Sequence, residues 1–164
     1  MKDTTFYTEA YEAMREECRR ICLFTDALDK NPAEKKERIA EYKCAKYRYA
    51  AVSLIESTIY NNDRCRKRFN LAYSHHLLLP FDEMFKEQTE HVAVYDTLPP
   101  DQQPDYSLYH AIAVFTLREI EKLEGKLPHA NDWETVELEE RLGGLRFAKA
   151  CLDEAWHKRG EVIE

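Results

Sequence analysis

The chain reads as an all-α protein: a single helical bundle of five to seven helices around a long central helix at about residues 32–60. Three observations predict this class. Residues 32–60 carry no Gly and no Pro after Pro32, and their apolar side chains cover much more than half of a helical wheel. Charged residues make up 34% of the chain with only four glycines, a balance usual for helical bundles and unusual for β-proteins. No Asn-Gly or Asp-Gly pair joins two alternating runs, so hairpin signals are lacking.

The central helix is justified first. Asn31 can cap it, and Pro32 suits the first helical position, where the missing N–H costs nothing. Glu34 and Glu37 lie near the positive N-terminal end. At 100° per residue, Tyr42, Cys44, Ala45, Tyr47, Tyr49, Ala51, Val52, Leu54, Ile55 and Ile59 leave only a narrow polar remainder around Lys43, Lys46, Ser53 and Ser57. A helix apolar on so many sides is expected to be covered by several neighbours. Glu41 and Arg48 intrude on that apolar side and are expected to be paired boundary groups.

The other elements follow in order. The spacing of Tyr7, Tyr11, Met14, Cys18, Ile21 and Leu28 predicts a first helix over about 5–25 with a bundle seam. Asn61-Asn62-Asp63 offers a break before a helix over 63–78, which could also continue the central one with a kink. Pro80 predicts the start of a helix over 80–95. Residues 97–105 hold three of the six prolines and read as a connecting loop inside one domain, 1–164. A helix over 105–123 carries two apolar rows, with Gly125 as its terminating residue. Asn131 caps a helix over 132–142, Gly143-Gly144 predicts a break, and a last helix covers 145–159. Residues 160–164 read as a short acidic tail that frays.

Composition bounds the function. A length of 164 residues, 44% of them hydrophobic, is enough for one core without metals or disulfides. The formal charge of −7 disfavours a general nucleic-acid binder, though it leaves room for a local basic patch. The N-terminus lacks the apolar core of a signal peptide, and no run approaches the roughly 18 apolar residues of a membrane span. The five cysteines are odd in number and lack CxxC spacing, which fits free thiols in a cytoplasmic protein.

Candidate chemistry is sparse. Arg64, Arg66, Lys67 and Arg68 form a basic cluster that could contact phosphates or an acidic partner, or simply offset neighbouring acidic helices. Glu154 and His157 have the Glu-x-x-His spacing of di-iron bundles, but the second copy that such a site needs is missing, so no metal and no cofactor is expected. Glu56 lies on the apolar flank of the central helix, and Glu87 with His91 shares a face without matching that motif. His75-His76 stands before Leu-Leu-Leu-Pro with no HExxH, and no GxSxG or phosphate-binding Gly loop occurs.

Two segments resemble known families. Tyr42-Lys-Cys-Ala-Lys-Tyr-Arg-Tyr-Ala-Ala-Val resembles the aromatic-alanine helix of HEPN domains, a helical family with ribonucleases and toxin–antitoxin components. That resemblance, over about 32–123, implies RNA cleavage by an Arg and a following His. Arg68 with His75 fits the spacing but has Phe69 where a polar residue is usual; Lys86 with His91 puts Lys in place of Arg. The His would then work in acid–base cleavage and the cation would hold the phosphate. Gly125-Lys-Leu-Pro-His-Ala-Asn-Asp-Trp133 and Leu142-Gly-Gly-Leu-Arg-Phe-Ala-Lys-Ala are similar to small helix-turn-helix repeats found near homing endonucleases. Asp153 and Glu154 in the corresponding recognition helix speak against DNA reading.

The expectation is therefore a small non-enzymatic interaction or regulatory protein, acting on a protein partner or on its own copy, with no membrane contact. A HEPN-like ribonuclease is the alternative, and nucleic-acid binding through 64–68 the second.

Overall fold

The computed structural model describes residues 5–69 and 104–163, with side chains at 9–60 and 112–157. Its described part is an all-α bundle of five helices. These are α1 (Thr5–Asp29), the short α2 (Pro32–Glu37), α3 (Ile39–Phe69), α4 (Pro104–Lys126) and α5 (Asp132–Ile163). A 3-10 turn, Leu127–His129, joins α4 to α5. No helix among the described residues is long and apolar enough to cross a membrane.

Side-chain contacts give the helix directions. Glu17 meets Arg48 and Tyr11 stacks near Tyr60, so α1 and α3 are antiparallel. Lys43 meets Trp133 and Arg48 meets Phe147, so α3 and α5 run parallel. The α4–α5 turn and the Arg146–Glu124 ion pair, 2.8 Å, bring α4 back along α5. Helix α5 packs on α1, α3 and α4. Where they converge, Met14, Ile55, Ile59, Ile112, Leu142, Leu145 and Leu152 are fully buried. Of the seam expected on α1, Met14, Cys18, Ile21 and Leu28 are buried and Tyr11 is half-buried, while the Tyr7 side chain lies outside the described part.

Both asparagine caps form. The side-chain oxygen of Asn31 accepts from the backbone N–H of Glu34 at 3.3 Å. At α5, Asn131 accepts from Glu134 N–H at 2.9 Å, and Glu134 Oε2 accepts from Asn131 N–H at 3.1 Å, a reciprocal capping box.

Several boundaries differ from expectation. Helix α1 runs on to Asp29, because Leu28 belongs to the buried seam. The run from Pro32 is divided at Arg38, where φ is −107° and ψ is 27°. The helical hydrogen bonds persist across it, Arg38 N–H to Glu34 at 2.9 Å and Tyr42 N–H to Arg38 at 3.0 Å. Asn61-Asn62-Asp63 makes no break: α3 passes through it to Phe69. Gly125 does not end its helix, which closes one residue later in the 3-10 turn around Pro128. Pro104 starts α4, as its fixed φ allows at a first helical position. Helix α5 extends to Ile163, across most of the expected tail. Residues 70–78 of the helix expected over 63–78, the helix over 80–95 and loop residues 97–103 lie outside the described residues.

The largest correction concerns Gly143-Gly144. These residues sit inside the single helix α5, so there is no helix-turn-helix here. A Cβ on Gly144 would stand 2.8 Å from the Ala51 Cβ and 2.8 Å from the Arg48 carbonyl oxygen. The glycine lets the α5 backbone press against α3 where a side chain would hold them apart. This close approach offsets the helix-propensity penalty of about 1 kcal/mol for glycine.

Candidate interaction face

Of the residues singled out by sequence as candidate chemistry, only Glu56, Glu154 and His157 have side chains in the described part. Arg64, Arg66, Lys67 and Arg68 lie on the last turns of α3, with their side chains outside the described part. His75, Lys86, Glu87 and His91 lie outside the described residues. Glu154 and His157 are both exposed on α5. Among the described residues, no group of three or more His, Cys, Asp or Glu side chains could hold a metal ion. Glu56 is half-buried and accepts from Ser57 at 3.3 Å.

Glu41 and Arg48 are paired, each with a different neighbour, but only Arg48 stands at the boundary, Glu41 being exposed. Glu41 accepts from Arg38 at 2.6 Å, and Arg48 Nε donates to Glu17 on α1 at 2.9 Å. Arg20 also grips Glu17, at 3.0 and 2.7 Å. These groups border a cleft of about 270 Å³ between α1 and α3, lined by Arg20, Ile21, Phe24, Glu41, Cys44 and Arg48. Both cleft arginines are engaged with Glu17, whose single charge offsets one of their two. The Arg20 hydrogen bond, against the opposing effect of burial and with help from Arg48, holds the Glu17 carboxyl down at about 2.

Three of the thiols are set against activation. Burial pushes Cys18 and Cys151 up to about 11, and burial followed by the charge of Glu140 raises Cys44. A nucleophilic cysteine needs the opposite, a cationic setting that favours thiolate.

The feature that stands out lies at the start of α5. Trp133 is 76% exposed and Val136, one turn on, is 43% exposed. The capping box just before them fixes the direction in which this helix leaves the turn. Lys43 of α3 places its Nζ 5.6 Å from the Trp133 ring centroid, orienting the indole without covering it. Farther along, Arg141 donates to Glu137 at 3.0 Å and lies 5.6 Å from the Tyr47 ring, closing the α3–α5 seam behind. Asp132, Val136 and Glu139 follow at spacings of four and three residues, with Trp133 and Glu140 beside them. The result is an exposed apolar step edged by carboxylates.

Sequence reasoning passed over this face. Trp133 falls among charged residues without an apolar row around it, and only the i+3 spacing to Val136 signals a shared surface. Its exposure depends on where α3 begins relative to α5, which is tertiary information. No family model, no curated protein and no solved structure matches this chain.

Proposed function

We propose that the protein is a small non-enzymatic interaction module of the cytoplasm, acting by protein–protein contacts through a helix face. The observation that supports this is the exposed Trp133, with Val136 beside it. Tryptophan concentrates binding energy at interfaces because one rigid ring removes a large area from water for little lost rotamer freedom. Left exposed beside a core that it does not join, it serves a contact better than it serves the fold.

The test is quantitative affinity capture with the wild-type chain and with Trp133→Ala, both checked for equal helicity and melting. A protein retained stoichiometrically by the wild type and reduced about tenfold or more by Trp133→Ala supports the reading. Identical capture by the two chains overturns it. So does RNA cleavage by the purified protein that is lost on His75→Ala or His91→Ala, which would promote the HEPN-like ribonuclease.

A further inference from the structure

We infer that the partner covering Trp133 is a basic amphipathic segment, one apolar side chain seated on Trp133 and Val136 and flanked by Lys or Arg. This rests on the interaction reading above and specifies its chemistry. The occupant follows from charge. Asp132 and Glu139 are exposed, bracket the Trp133–Val136 step on α5, and form no ion pair among the described residues. Several carboxylates elsewhere on the bundle are taken: Glu17 by Arg20 and Arg48, Glu41 by Arg38, Glu124 by Arg146 and Asp153 by Lys149. Asp132 and Glu139 differ from other exposed acids, such as Glu9 and Glu12, in flanking an exposed tryptophan.

The helix dipole explains Asp132 and Glu134 in the first turn, but its influence fades beyond that turn and does not account for Glu139 or Glu140. Lys43 of α3 is held against the Trp133 ring. A partner approaching this step therefore meets an apolar ring with an excess of negative charge around it. A cationic helix or strand satisfies both, whereas an acidic partner would face like-charge repulsion.

The probe is a fluorescein-labelled amphipathic helix of leucine and lysine, with a leucine–glutamate peptide of the same apolar pattern as its counterpart. Binding to the full chain is read by anisotropy at low and high salt. The lysine peptide should bind and weaken with salt, and the glutamate peptide should not bind. Trp133→Ala should weaken binding about tenfold or more. The pair Asp132→Asn and Glu139→Gln should weaken it about three- to tenfold. Glu139→Gln alone, clear of the helix start, should act in the same direction.

Glu9→Gln with Glu12→Gln is the control: both are exposed on α1, and the Tyr11–Tyr60 contact puts them at the opposite end of the bundle from Trp133. That control should leave affinity unchanged. Equal loss in the control would mean only net charge is sensed, and the inference would fall. It would fall equally if the glutamate peptide bound as well. Sedimentation equilibrium showing a homodimer that Trp133→Ala dissolves would assign the face to a second copy instead. An acidic partner captured in a Trp133-dependent way would sink the basic segment yet leave the interaction reading standing. Capture indifferent to Trp133 would remove both.

Discussion

Arg48 Nε donates to Glu17 Oε1 at 2.9 Å across 31 residues of sequence, tying α3 to α1 through groups that are mostly sheltered from water. The Glu17 side chain is 12% exposed and that of Arg48 27%. The guanidinium also lies 5.3 Å from the ring of Phe147 on α5. One arginine therefore touches all three helices of the tightest part of the bundle. Arg20 completes the arrangement from within α1, so Glu17 receives two cations.

Glu17→Gln should lower stability by about 1–3 kcal/mol, because it leaves Arg48 half-sheltered without its counter-charge. The pH dependence has a definite sign. The folded carboxyl titrates at about 2, below its ordinary value of 4.5, so the unfolded chain takes up the proton more readily. Its stabilisation is complete above about 4.5 and disappears as pH falls toward about 2. Urea midpoints across that window should fall less steeply for Glu17→Gln than for the wild type. Parallel curves would show that Glu17 carries no pH-linked stability.

Gly144→Ala should destabilise by about 1–3 kcal/mol, as an inserted methyl forces α3 and α5 apart. Gly125→Ala is the contrast. No atom lies within 4 Å of a Cβ there, so the exposed helix gains up to about 1 kcal/mol of propensity. Urea unfolding of both variants reads the difference. If both changes stabilise, α3 and α5 are not in close contact at Gly144.

Cys18 and Cys151 should resist alkylation in the folded protein near pH 8 and react fully once it is unfolded. Their thiols are held up at about 11 by burial, leaving little thiolate to attack the reagent. Iodoacetamide labelling followed by peptide mass spectrometry distinguishes the sites. Rapid native labelling of either would contradict the burial seen here.

Much of this molecule is written locally. The alternation of threes and fours through Met14, Cys18, Ile21 and Leu28 places one face of α1 in the core, as the structure shows. Asn31-Pro32 and Asn131 mark helix starts because a short side-chain acceptor and a missing N–H suit those positions whatever the helix packs on. Ala51, Val52, Ile55 and Ile59 are buried on α3, as its apolar run requires. The tyrosines of that run are not: Tyr42, Tyr47 and Tyr49 stay at the boundary, Tyr42 with its hydroxyl 3.4 Å from Asp29. A phenol has an apolar ring and a polar tip, and a wheel that scores it as apolar overstates its burial.

What the tertiary structure alone decided are the relationships between helices. Gly143-Gly144 signals a break by every local rule, and becomes mid-helix because α3 needs the space that a side chain would fill. The choice of Glu17 as partner for Arg48 depends on antiparallel packing of α1 on α3, and the exposure of Trp133 depends on how the starts of α3 and α5 are set side by side. Periodicity and capping act within a few residues along the chain. Close approach, charge pairing and exposure are properties of the distances between helices, and those are set only when the core closes.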